Sequence, residues 1–136
     1  MDMTKIFDGF DPAKYEEEAK QRWGNTDAYK ESMKRTKRYT KQDWETMKAE
    51  QSAIYKDAFS AMKAGKKASD ASAMDIAERH RLSINRWFYP CSAMAHRGMA
   101  SLYESDDRFA ASIDQHGEGL TPFLVAALRA NADRKH

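Results

Sequence analysis

This chain has few of the residues that break or staple a fold. It holds one cysteine, three prolines and six glycines in 136 residues. A single cysteine excludes an internal disulfide and any multi-cysteine zinc site. No apolar run approaches the roughly 20 residues that a spanning helix needs, and the N-terminus has no apolar leader stretch. A net charge of +2 is too small to argue for a nucleic acid or a membrane surface as partner. Period-two alternation over a useful length is also missing, which argues against strands. What remains is one domain with a single core, expected to be soluble and cytoplasmic.

Helical punctuation is plentiful. Asp11-Pro12 forms a start signal: a capping acceptor, then a residue with φ already set. Glu16, Glu17 and Glu18 crowd the first turns, where the helix dipole favours negative charge. Trp23-Gly24 closes that helix, and Thr26 caps a second one carrying Ala28 and Tyr29. Thr40, with Asp43 three residues on, opens a long helix striped by Trp44, Met47, Ile54, Ala58 and Met62 and ended by Gly65. Ser69 or Asp70 caps a helix over about 71–88, with Met74, Ala77, His80 or Arg81, Ile84 and Trp87 along one side. Pro90 forces it to stop or kink. Ser92 caps a helix carrying Met94, Ala95, Met99, Leu102 and Tyr103. Asp106 or Asp107 caps another, with Phe109 and Ile113 inward, and Thr121-Pro122 starts the last. The reading is an all-α domain of six to seven helices.

Composition also divides the chain. Residues 1–68 are rich in Lys, Glu and Gln and carry few aliphatics, whereas residues 69–136 hold more of the apolar positions. Helices with few buried contacts open easily, so the first part is expected to act as a helical lid and the second as a rigid scaffold.

Few residues offer chemistry. His80, His96, His116 and His136 make no HExxH pattern, and their spacing to Cys91 fits no zinc signature, so no metal is expected. Cys91 and His96 could suggest a hydrolase, but no third orienting residue or oxyanion hole can be named, so no catalytic residue is assigned. The basic run Lys34, Arg35, Lys37, Arg38 and Lys41 around Tyr39 reads as a solvated helix face, not as a nucleic-acid site. The aromatic and methionine supply is more informative. Trp87 and Tyr89 precede the Pro90 break, and His96, Met99 and Tyr103 share one face of the next helix. With Phe109 they form candidate cleft walls, although the same rings also suit an ordinary core.

The strings YEEEAKQRWGNTDAYKES (Tyr15 to Ser32), YTKQDW (Tyr39 to Trp44), WFYPCSAMAH (Trp87 to His96), LYESDDRF (Leu102 to Phe109) and GLTPFLVAALRANA (Gly119 to Ala132) resemble the TipAS effector domain of MerR-family regulators, in the family's order. The resemblance implies a globin-like arrangement of the C-terminal helices. It also implies a receptor for bulky, largely apolar ligands such as thiopeptide or other macrocyclic antibiotics, attached in the full regulator to a MerR-type winged helix and coiled coil. No enzyme activity and no cofactor are expected. The candidate ligand residues are Trp23, Tyr29, Trp87, Tyr89, Cys91, His96, Met99, Tyr103 and Phe109. In the thiopeptide-trapping pattern a second cysteine lies seven residues after the first. Gly98 stands there in this chain, so non-covalent binding is expected. Two alternatives remain open: an interaction module that takes a partner helix or peptide without a small-molecule ligand, and a haem or redox sensor using His96 or Cys91.

Overall fold

A computed structural model describes residues 26–135, through which six helices run: α1 (Asp27–Thr36), α2 (Lys41–Lys63), α3 (Ala71–Trp87), α4 (Ala93–Ser105), α5 (Asp107–Asp114) and α6 (Leu120–Arg134). No strand occurs among the described residues. The predicted opening helix and its turn at Gly24 lie outside them, as does His136.

Local chemistry sets most of the helix starts. The Thr26 hydroxyl accepts from Tyr29 N at 3.2 Å at the head of α1. Thr40 and Asp43 form a reciprocal capping box on α2, at 2.9 and 3.2 Å. Ser92 accepts from Ala95 N at 3.1 Å, and Asp106 accepts from Arg108 N at 3.0 Å. Asp70 occupies the N-cap position of α3, but its carboxylate accepts from Lys67 N at 2.8 Å and so braces the preceding turn instead. The last helix starts at Leu120, one residue before the predicted Thr121, because Gly119 adopts φ +83° and turns the chain there. Pro122 then falls in the first turn, where no N–H is needed.

α6 is the central element. Its buried face (Leu120, Leu124, Val125, Leu128 and neighbours) packs against α2, α3, α4 and α5. Ala73, Ala77, Ala100 and Ala127 line the same cluster with almost no exposed surface, and their small side chains let the helices come close. α2 joins this core through Ala58, with Tyr55 and Phe59 partly buried against it. A second cluster lies at the other end of α2. There Trp44, Met47 and Trp87 are buried, and Tyr39 stands edge-on to both indoles at 5.7 and 5.5 Å. The Tyr39 hydroxyl donates to the Trp87 carbonyl. α1 has no buried residue and reaches the body through Arg35, whose guanidinium donates to the Asn85 carbonyl at 2.7 Å at the end of α3.

Two expected core positions are corrected. Met94 is 64% exposed and Ala95 is also exposed. The inward stripe of α4 is His96, Ala100 and Tyr103, and Met94 sits more than a quarter-turn off that face. On α3 the inward residue of the His80/Arg81 pair is His80.

His80 and His96 form a polar contact inside the fold. The two imidazoles are 1% and 0% exposed, and Nδ1 of His80 lies 2.8 Å from Nε2 of His96, one donating to the other. Tyr55 of α2 approaches His80 Nε2 with its hydroxyl at 3.4 Å, and Tyr103 of α4 stands edge-on to the His80 ring at 5.9 Å. Burial holds both histidines well below the ordinary imidazole range. The mutual repulsion of the pair adds to this at His80, and Arg81 adds to it at His96.

Two predictions follow from this packing. A Cβ at Gly117 would lie 2.1 Å from the Phe59 ring, whereas one at Gly98 in α4 meets nothing within 4 Å. Gly117→Ala is expected to cost about 1–3 kcal/mol in urea unfolding, and Gly98→Ala to gain about 0.5–1 kcal/mol. Equal effects from the two would contradict the packing described. The second prediction concerns pH. Since the folded histidines resist protonation, the unfolded chain binds more protons below its imidazole pKa of about 6.5. Stability is therefore complete above about pH 6.5 and is lost as pH falls, by about 1.4 kcal/mol per histidine per unit. Melting temperature should drop between pH 7.5 and 5.5 and drop less in His80→Asn/His96→Gln. An unchanged wild-type value over that range would refute the buried neutral pair.

Candidate functional site

The turn between α3 and α4 brings an aromatic side chain, that of Tyr89, to a surface depression. Pro90 removes a donor and ends the helical run, so the chain must be held by other means. Asn85 accepts from Cys91 N at 2.9 Å with its side-chain carbonyl, and Arg81 donates to the Cys91 carbonyl at 2.7 Å. Both anchors come from α3. Glu78 braces Arg81 at 2.9 and 2.5 Å and also accepts from Asn131 of α6 at 3.0 Å. The bonds from Arg81, chief among the causes, hold the Glu78 carboxyl down at about 2 despite its partial burial. The turn is thus tied through α3 to α6.

An open groove of about 500 Å³ lies between this turn and α1. Tyr89 and Pro90 form one wall; Ala28, Lys30, Glu31 and Lys34, with Asp27 at the end, form the other. Glu31 is engaged by Arg35 Nε at 2.6 Å, and that bond leads in lowering its pKa.

The sequence-predicted ligand residues fall into three places. Tyr89 lines the groove, and Tyr29, on α1, is half-buried. Trp87 is buried in the second cluster, donates its indole N–H to Glu50 at 3.3 Å and carries the Arg86 guanidinium 4.8 Å over its ring. His96 and Tyr103 are interior and share the neighbourhood of His80; Phe109 packs on Tyr103 at 5.1 Å, and Met99 is half-buried against the main cluster. Cys91 is 1% exposed, and burial pushes its thiol up to about 11. Trp23 lies outside the described residues.

Sequence reasoning missed the residues that build the turn and the other wall. Asn85 looked like an ordinary polar position of a helix, and Arg81 was read only as the alternative to His80 on the inward stripe of α3. Lys34 was read within a solvated basic face and Lys30 was not singled out, and nothing in the sequence placed Tyr89 and Pro90 opposite them. The pairing of His80 with His96 was equally hidden, since periodicity assigns a face without naming the partner across it. No group of three or more His, Cys, Asp or Glu side chains that could hold a metal ion occurs among the described residues.

Comparison with known proteins now adds to this geometry. The TipAS antibiotic-recognition domain family matches residues 15–131. The HTH-type transcriptional activator TipA of Streptomyces coelicolor is 42% identical over 130 residues, covering 96% of this chain and 51% of that protein. The HTH-type transcriptional activator mta of Bacillus subtilis is 35% identical over 121 residues, covering 89% of this chain and 46% of its own length. The chain thus spans about half the length of these curated relatives. Among solved structures, TipAS of Streptomyces lividans in complex with nosiheptide, from a thiopeptide antibiotic multidrug resistance system, superposes with a TM-score of 0.92 at 41% identity, covering 97% of this chain and 92% of that one. With its all-helical fold and a match across nearly its whole described length, the chain belongs to the TipAS antibiotic-recognition domain family.

Proposed function

We propose that this chain is the effector-sensing domain of a MerR-type transcriptional regulator and takes a large, mostly apolar thiopeptide-like antibiotic, held without a covalent bond. The observation that carries this reading is the superposition on a nosiheptide-bound domain over 97% of the chain. The ligand's first contact surface is the groove between α1 and the α3–α4 turn, with Tyr89 as its aromatic anchor and Tyr29 nearby on α1. Trp87 and Cys91 are buried at and beside that turn, and His96, Met99, Tyr103 and Phe109 lie with the main cluster, so these residues would reach a ligand only if α1 moved away and the helices around them parted.

Such parting suits a sensor. Among the described elements of the lid, α1 buries no residue and is held to α3 largely by Arg35, so it moves at less cost than α2. α2 is docked on α3 and α6 and would follow less readily. In a full regulator the ligand would act by favouring one arrangement of these elements over another, and the attached DNA-binding domain would read the difference. The domain acts as a cytoplasmic receptor, not as an enzyme. The redox alternative is disfavoured by Cys91, a buried thiol kept protonated.

Calorimetric titration with nosiheptide tests the reading. Tyr89→Ala should weaken binding by about 1–3 kcal/mol and leave cooperative unfolding intact. Tyr103→Ala should instead cost roughly 3–5 kcal/mol of stability, as a buried ring lost from the core. Absence of heat with any thiopeptide would favour the interaction-module alternative. Covalent capture is tested by intact mass after incubation with a dehydroalanine-bearing thiopeptide. The wild type should stay unmodified under denaturing conditions, whereas Gly98→Cys, at an exposed position with room for a side chain, should gain an adduct. An adduct on Cys91 in the wild type would overturn the non-covalent reading.

A further inference from the structure

We propose that the groove between α1 and the α3–α4 turn prefers ligands that pair an anionic group with an aromatic or apolar body, the anion being held by Lys30 and Lys34. The inference rests on that groove being the ligand site proposed above. It comes from the charges along the α1 wall. Lys30 and Lys34 stand four residues apart, one turn above the other, and both line the depression. Neither ammonium has an ion-pair partner among the described residues. The acidic residues of the same wall compensate them only in part. Glu31 is taken by Arg35 at 2.6 Å, and Arg35 is itself fixed on the Asn85 carbonyl. Asp27 sits in the first turn of α1, where the positive end of the helix dipole already answers its charge. The wall therefore presents more positive than negative charge to whatever enters.

The opposite wall is of different chemistry. Tyr89 and Pro90 offer an aromatic face and a pyrrolidine ring, held from behind by Asn85 and Arg81 through Cys91. A ligand lying between the walls meets an apolar surface on one side and two long, flexible cations on the other. Lysine supplies a point charge without the planar fork of arginine, so a carboxylate, sulfonate or phosphate would serve equally. The ammonium groups are exposed, so the preference is modest and falls with salt.

Two fluorescent probes of nearly equal ring frame separate the terms: 8-anilinonaphthalene-1-sulfonate carries a sulfonate, and N-phenyl-1-naphthylamine does not. Each is titrated into the wild type, Lys30→Gln/Lys34→Gln and Tyr89→Ala, at low salt and in 0.5 M NaCl (about a 4 Å Debye length). The sulfonate should bind the double lysine variant about tenfold more weakly than the wild type and should lose a similar factor in high salt. The neutral probe should not distinguish wild type from the lysine variant, and Tyr89→Ala should weaken both probes. If the lysine variant binds the sulfonate as the wild type does while Tyr89→Ala still weakens both, anion preference is overturned and the groove stands. If Tyr89→Ala changes neither probe, the groove fails as the site, and this inference fails with it.

Discussion

Two uncharged imidazoles pressed together inside the fold constrain everything around them. His80 and His96 are 2.8 Å apart, and the contact joins α3 to α4 where their backbones make little direct approach. A shared proton requires one ring to donate and the other to accept, which fixes how each sits and how far apart the two helices stand. Tyr55 brings α2 to the same point, and its ring lies 4.8 Å from that of His116 in the α5–α6 turn. Burial pushes the Tyr55 hydroxyl up to about 12, so it too stays protonated. A layer of neutral polar groups therefore runs through an otherwise alanine- and leucine-lined interior. Such a layer specifies one arrangement of helices more sharply than interchangeable apolar contacts do.

This layer was the least readable part of the chain. Helix starts were legible because a cap is a local event: Thr40 with Asp43, Ser92 and Asp106 each need only neighbours within three residues. The apolar stripe of α2 was legible for the same reason of short range, and Trp44, Met47, Ile54 and Ala58 are buried. Met94 failed because hydrophobicity was read as burial at a first-turn position whose direction is set by the face that His96, Ala100 and Tyr103 occupy. For the candidate site, the aromatic supply was visible, but its division was not. Whether a ring fills a core or walls a groove depends on what crosses it from another helix, and Tyr89 and Tyr103 look alike in one dimension. The motifs shared with a family added what periodicity lacked, namely the family to which the chain belongs.

The site and the scaffold are joined by one unbroken chain of polar contacts. Arg81 holds the Cys91 carbonyl, Glu78 holds Arg81, and Asn131 and Lys135 at the end of α6 hold Glu78. Arg134 adds bonds to Asn131 and Asp75. The turn that presents Tyr89 is therefore the stiff wall of the groove, while α1 opposite has no comparable anchorage among the described residues beyond Arg35. If the groove is the ligand site proposed above, a rigid wall facing a loosely held one would let ligands of different outline meet the same aromatic ring, since only one side need adjust.

The two tryptophans among the described residues, Trp44 and Trp87, occupy a single environment: both are nearly shielded from water and both stand edge-on to Tyr39. Their emission is consequently one signal from one place, shifted toward the blue by the dry surroundings and open to quenching through Glu50 and Arg86 beside the Trp87 ring. Trp87 is two residues from Tyr89, so light from these two indoles samples the end of α3 beside the groove, with Trp23 adding a third emission from outside the described residues. In a Trp23→Phe background, occupancy of the proposed groove would be followed optically without attaching any dye.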